Sequence, residues 1–241
     1  TIKCVIHSGI AAVFAKVPAT VNAIAGLGYI FANSSLKARV LRPIVGGLLK
    51  WVLKQNNSCL ILQNKDDKDE ILQAGLTVES RLFLIRGSGV DIQRYQQRHG
   101  AHVQSQTTSV LLAARLIAEK GIREYVEAAR SLRGKGYSIR FLLAGEPDQG
   151  NPSAIHQSEI DMWANEGIVE LLGQVDDMSA LYAGIDIFVL PTYYREGLPK
   201  SLLEAASCGL PLIATDTPGC REIVIHEQTG LRIPVRDAKA L

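Results

Sequence analysis

Read for apolar and polar positions, the chain is a series of short apolar runs separated by amphipathic stretches. Val21–Ile24, Ser58–Leu62, Leu82–Ile85, Ser109–Ala114, Ile139–Ala144, Val169–Leu172, Ile185–Leu190, Leu212–Thr215 and Gly230–Pro234 each read as a strand. They are near-continuous in apolar character rather than alternating, as expected of parallel strands covered on both faces. Helical patterns stand between them, which predicts an α/β fold of repeated strand–helix units. At the front, Cys4–His7 reads as the end of a strand followed by a helix through Ala11–Lys16. Leu36–Lys54 reads as a helix interrupted by Pro43 and the Gly46-Gly47 pair.

Charge refines this picture. Val17–Leu36 holds no charged residue, which raises a membrane span, but Pro18, Asn22, Gly26, Gly28 and Asn33 fall inside it. A buried strand with a glycine loop accounts for it better. Residues 1–100 hold 13 Lys+Arg against 6 Asp+Glu, a net +7; the remainder holds 13 against 18, a net −5. The first acidic residue is Asp66. A basic front half suits an anionic partner or is a crowded solvated face. Within it, Leu36–Lys54 sets Lys37, Arg39, Arg42, Lys50 and Lys54 among Leu, Val, Ile and Trp51. Two readings stand: a segment lying on an anionic bilayer surface, or a packing helix with a basic outer face. No nucleic-acid recognition motif accompanies the positive charge, so nucleic acid is not expected as a partner.

Arg94–His102 is polar without apolar period and reads as a linker. The expected organisation is a front domain over 1–98, a linker over 99–107 and a second domain over 108–241. The apolar fraction of 47% is ample for packed cores. Four scattered cysteines, Cys4, Cys59, Cys208 and Cys220, suggest neither a zinc site nor a disulfide framework and fit a reducing cytosol. The opening TIKCVIHSG does not read as a signal peptide. Asp67-Lys68-Asp69 is formally a D-x-D pair that could hold a metal with a nucleotide diphosphate. Asn and Asp clustered before an apolar run is more simply a helix start.

The chemistry concentrates in Pro191–Glu204, PTYYREGLPKSLLE. It follows the Ile185–Leu190 strand, so Glu196 sits on a turn at the strand's carboxyl end, where open α/β sheets bind ligands. Gly197 permits close backbone approach, Pro199 suits a first helical turn, and the helix start offers N–H groups to a phosphate. Glu204, further along the helix, suits hydrogen bonds from a sugar or ribose diol. Upstream, Arg115 and Lys120 flank a loop into a helix, with Gly121 after them.

E-G-L-P with a second Glu, then A-A-S-C-G-L-P-L-I-A-T-D-T-P-G-C-R-E-I-V, resembles the C-terminal half of retaining glycosyltransferases of family 4, which have the GT-B fold. That resemblance extends from about residue 5 to the end. It implies two Rossmann-like domains with parallel sheets facing a cleft, the N-terminal acceptor-side domain incomplete and the C-terminal one binding the donor. The chain is therefore expected to be part of a longer protein. In the family's pattern Glu196 meets the donor sugar, Gly197 and Leu198 offer N–H groups to the phosphates, and Glu204 holds the ribose. Arg115 and Lys120 clamp the diphosphate, where positive charge is needed as the leaving group departs. The loops after Gly145 and Gly173, including Val175, frame the nucleobase. The Gly87–Asp91 loop resembles the family's interdomain segment. Ala25-Gly26 stands where family members often carry His–Gly, which removes one candidate histidine; His7 is a lone residue with a structural reading.

The resemblance implies a retaining sugar transfer from a nucleotide-diphospho-sugar, UDP ahead of GDP or ADP, without a protein nucleophile or a metal cofactor. The TYYREGLP wording resembles bacterial enzymes of surface polysaccharide synthesis, so a lipid-linked or glycan acceptor is expected at the cytoplasmic membrane face. A nucleotide-sugar epimerase and a nucleotide-sugar-binding module without turnover are the alternatives; E-G-L-P argues against the first.

Overall fold

The computed structural model describes residues 2–27, 36–55, 57–87, 89–96 and 107–241, with 36–40 as backbone alone. Gly28 of the glycine loop and most of the expected 99–107 linker lie outside the described residues. Two compact units divide the chain: Thr1–Gly89 with Tyr194–Pro199, and Val90–Tyr193 with Lys200–Leu241.

The first unit holds a parallel sheet of β1 (Thr20–Ile24), β2 (Ser58–Leu62) and β3 (Leu82–Leu84) in that order. Helices α1 (Ile2–Phe14), α2 (Leu36–Leu53) and α3 (Lys65–Gln73) connect and cover it. Two expectations are corrected here. Cys4–His7 is not a strand but part of α1: Ile2, Val5, Ile6 and Gly9 are buried, a spacing of three and four that a helix puts on one face. A four-residue apolar run does not distinguish the two, and packing decides. Gly9 allows α2 to pass close by, since a Cβ there would collide with Val52. Nor is α2 interrupted. It runs unbroken through Pro43, which is exposed. Leu49, Val52 and Leu53 are buried with Ile24, Leu60, Leu62 and Ile71.

The Asp67-Lys68-Asp69 run opens α3, as the helix-start reading expects. Asn64 is the N-cap, its Oδ1 accepting from the Asp67 amide at 2.8 Å. Asn64 Nδ2 donates to Asp67 Oδ2 at 3.0 Å and to the Gly197 carbonyl at 3.1 Å. Asp67 is fully buried, and Arg195 Nη2 donates to its Oδ1 at 2.8 Å. Arg195 Nη1 also donates to Glu70. Burial pushes the Asp67 carboxyl above its usual range, against the pull of Asn64 and Arg195. Tyr194–Pro199 is thus tied into the first unit by a buried charge pair and a shared asparagine.

The second unit is a six-stranded parallel sheet: β4 (Thr108–Ala113), β5 (Ile139–Ala144), β6 (Glu170–Gly173), β7 (Ile187–Leu190), β8 (Leu212–Thr215) and β9 (Gly230–Ile233). Its order is β6-β5-β4-β7-β8-β9, the Rossmann arrangement of two halves wound outward from the centre. Leu111, Ala113, Leu142, Phe188 and Leu190 face one core, with Tyr182, Leu202 and Ala205. Val110, Leu112, Phe141, Leu143 and Val189 face the other, with Ile122, Tyr125 and Trp163. Successive strand residues point to opposite faces, and both faces are covered, which is why the runs are apolar throughout. Helices α4 (Ile122–Gly134), α5 (Gln157–Glu166), α6 (Met178–Tyr182), α7 (Lys200–Ser207) and α8 (Pro218–Arg221) complete the unit.

Two outcomes test this packing. Phe188→Ala empties a fully buried site on central β7 where the ring meets Tyr182 edge-on at 5.6 Å, and should cost about 3–5 kcal/mol in urea unfolding. Arg195→Ala leaves the Asp67 carboxylate buried without its guanidinium and should cost about 3 kcal/mol. The double variant Asp67→Asn/Arg195→Ala should recover much of that loss; equal losses would show that charge balance is not what holds the segment.

Candidate functional site

Strands β4 and β7 are neighbours at the centre of the second sheet, with Val110 beside Ile187 and Leu111 beside Phe188. From them the chain runs outward in opposite directions, toward β5 and β6 on one side and β8 and β9 on the other. The loops at their carboxyl ends therefore separate, and the opening between such loops is the ligand position of this sheet type. Arg115 and Lys120 lie on the loop after β4, which ends in a short 3-10 turn over Ala118–Lys120. Gly121, at φ +75°, turns the chain into α4. A Cβ on Gly121 would meet the Pro191 carbonyl. Tyr193 N–H donates to the Glu119 carbonyl at 2.8 Å, and Thr192 Oγ1 donates to the same oxygen at 3.0 Å. The Thr215 hydroxyl donates in turn to the Thr192 carbonyl. The β4 and β7 loops are thus stitched together at their bases.

Lys120 is buried. Arg115 is largely exposed, and its Nη1 lies 2.5 Å from Asp148 Oδ2. Gly145, at φ +132°, ends β5 beside this loop; a Cβ there would strike the Ala114 carbonyl. Its N–H donates to the Gly173 carbonyl at 2.7 Å, joining the β5 and β6 ends. Val175 follows β6 and packs, half-buried, against the first core. A cleft of about 760 Å³ opens here, with Gly145, Glu146, Asn151, His156 and Gly173 among its walls and Leu116, Ile155 and Leu171 as apolar lining. That volume is in the range of small-molecule sites.

Glu204 is buried on α7, one turn beyond Lys200, whose Nζ lies 3.7 Å from its Oε1. The Tyr182 hydroxyl stands 3.5 Å from Glu204 Oε2 and 3.1 Å from the Ser201 carbonyl. Tyr95 packs edge-on to Tyr182 at 6.1 Å. Burial first, and then the Glu204 charge, pushes both phenols and the Cys208 thiol upward. These groups therefore keep their protons at neutral pH.

Five of the expected site residues, Arg115, Lys120, Gly145, Val175 and Glu204, therefore belong to one unit. Glu196, Gly197 and Leu198 belong to the other. Glu196 stands on a tight turn, its N–H donating to the Tyr194 carbonyl at 2.9 Å. The Gly197 N–H donates to the Ala25 carbonyl at 3.1 Å. Leu198 packs toward Gly87. Sequence reasoning did not single out Asp148, Tyr182 or Arg195. The D-x-x-N spacing of Asp148 and Asn151 was the one local signal available, since Asn151 Nδ2 donates back to Asp148 at 3.2 Å.

Comparison with known proteins places the chain among glycosyltransferases. The N,N'-diacetylbacillosaminyl-diphospho-undecaprenol alpha-1,3-N-acetylgalactosaminyltransferase of Campylobacter jejuni is 30% identical over 245 residues, covering 96% of this chain and 61% of that protein. The UDP-Gal:alpha-D-GlcNAc-diphosphoundecaprenol alpha-1,3-galactosyltransferase of Escherichia coli is 26% identical over 238 residues, covering 95% and 59%. The solved structure of Anabaena HepE in complex with UDP matches with a TM-score of 0.77 at 18% identity, over 100% of this chain and 65% of its own. The chain thus spans less than two thirds of each of these proteins. The structural likeness is one of fold, and with the two parallel sheets it makes this a GT-B architecture. A family model for glycosyl transferases group 1 matches residues 107–241, the whole of the second sheet with its switch-point loops and α7, and the chain belongs to that family.

Proposed function

We propose that the whole protein is a retaining glycosyltransferase that moves a sugar from a UDP-sugar to a lipid-linked or glycan acceptor in bacterial surface polysaccharide synthesis. The observation that carries this reading is the pair of cations, Arg115 and Lys120, on one loop at the switch point, with a buried carboxylate, Glu204, in the same unit. A diphosphate needs the first and a ribose diol the second. The names of the Campylobacter and Escherichia relatives, both with diphospho-undecaprenol acceptors, support the lipid-linked acceptor; UDP in HepE supports the base.

In this reading the bond between the anomeric carbon and the diphosphate oxygen breaks, and negative charge gathers on the departing diphosphate. Arg115 offers planar donors to it and Lys120 a compact charge, so no metal cofactor is required. The acceptor hydroxyl attacks from the same face, which retains configuration, and its proton passes to the leaving oxygen. Glu204 takes hydrogen bonds from the ribose, and Gly145 and Val175 frame the base. Glu196 orients the sugar ring and the Leu198 amide meets a phosphate. The Gly197 amide serves there only by exchanging its Ala25 partner.

The reading also includes an anionic bilayer as a peripheral docking surface. Leu41, Ile44, Leu48 and Trp51 are exposed along α2 at helical spacing, beside exposed Lys50. Among the described residues no helix is long and apolar enough to cross a membrane.

Two measurements test these statements on the full-length protein. Isothermal titration should show UDP binding ahead of GDP and ADP, weakened about tenfold or more by Lys120→Ala and by Glu204→Ala. A folded protein that binds none of the three would overturn the donor assignment. Vesicles containing phosphatidylglycerol should bind the protein and shift its tryptophan emission to the blue, with the shift lost in Trp51→Phe and in vesicles of phosphatidylcholine alone. Binding indifferent to lipid charge would count against the docking surface.

A further inference from the structure

We propose that Asp148 is a built-in competitor of the donor diphosphate, a carboxylate fixed against Arg115 so that the spent nucleotide is held less tightly than its cations alone would hold it. The inference rests on the reading of Arg115 as a diphosphate-binding cation.

Arg115 leaves the central strand β4 at the switch point with its side chain 59% exposed, and Asp148 Oδ2 meets its Nη1 at 2.5 Å. The bond engages Nη1, so the Nε–Nη2 edge remains the natural face for a bidentate phosphate. An exposed pair of this kind usually contributes little. This one differs because the carboxylate is held from behind. Asn151 Nδ2 donates to the same Oδ2 at 3.2 Å, and the Asn151 N–H donates to the Asp148 carbonyl at 2.9 Å. Ser153 N–H then donates to Asn151 Oδ1 at 3.0 Å, and Ser153 Oγ to Glu119 Oε1 at 2.7 Å. Ala118 N–H donates to the Ser153 carbonyl and Ile155 N–H to the Leu116 carbonyl, at 2.8 and 2.9 Å. Residues 148–155 are thereby strapped along the loop that carries both Arg115 and Lys120. The Asn151 amide and the anchored backbone thus restrain the Asp148 carboxylate beside Arg115.

An anion on Arg115 therefore shares its guanidinium with a fixed carboxylate. The repulsion grows with the charge of the ligand. A nucleoside diphosphate released by sugar transfer has one more ionisable oxygen than the sugar-bearing donor, so Asp148 disfavours product more than donor. Its role is that of a positioning and charge-setting residue acting through Arg115.

The test is isothermal titration of the full-length protein with UDP and with inorganic diphosphate, on wild type, Asp148→Asn, Asp148→Glu, Arg115→Ala and the Arg115→Ala/Asp148→Asn double variant. Asp148→Asn should tighten both ligands about fivefold at low salt, and the gain should shrink in 0.5 M salt, as expected for removal of a partly screened charge. Asp148→Glu should stay near wild type. In the Arg115→Ala background the gain should be clearly smaller, because only the direct repulsion between Asp148 and the ligand is then relieved. A merely structural Asp148 would give weaker binding in Asp148→Asn, and that result, or an unchanged Kd, overturns the proposal. A gain as large without Arg115 as with it overturns it as well. If wild type binds UDP and inorganic diphosphate normally, such failures fall on Asp148 alone. If wild type binds neither, the donor-site reading has failed and this inference falls with it.

Discussion

A parallel sheet has to be covered on both faces, and that requirement shapes everything in the second unit. The central strands are apolar at consecutive positions because Leu111 and Leu112 on β4, or Phe188 and Val189 on β7, serve opposite cores. Helices can cover both faces only if the winding reverses somewhere, and it reverses between β4 and β7. Loops that diverge there leave an opening that no core residue fills. That opening is therefore a by-product of covering the sheet, and several of the chain's special residues lie on the loops beside it.

Those residues solve two problems with different chemistry. Close backbone approach is solved by glycine: Gly121 and Gly145 sit at positive φ, where a side chain would strike the Pro191 or Ala114 carbonyl. Charge is handled by pairing. Glu204 is buried but ringed by Tyr182 and Lys200, and Arg115 is exposed but met by Asp148. A buried carboxylate without such partners would be costly.

Much of this was legible in the sequence, and what was not has a common cause. Apolar runs such as Ile139–Ala144 and Leu212–Thr215 became strands because a run that short, framed by helical patterns, has few other ways to bury itself. The E-G-L-P stretch with Glu204, and Arg115 with Lys120, stood out because their chemistry is local in sequence. Cys4–His7 misled because four apolar residues carry no period of their own; the burial of Ile2 and Gly9 alongside them is a tertiary fact. Pro43 misled because a proline's cost depends on which side of the helix it faces. The partners of Arg195 and Arg115 were invisible because Asp67 and Asp148 each read locally as ordinary helix-start or loop acids. Which cation an acid meets is decided by topology.

The Arg195–Asp67 pair joins positions 128 residues apart in the sequence. Asp67 has no exposure to share with water, so its charge is costly without Arg195, whereas Arg195 keeps Glu70 as a second partner. Their inheritance is thereby linked. A recombination event that joins the front of one relative to the back of another transmits the acid and the base separately. Where only one parent carries the pair, the offspring receives half of it.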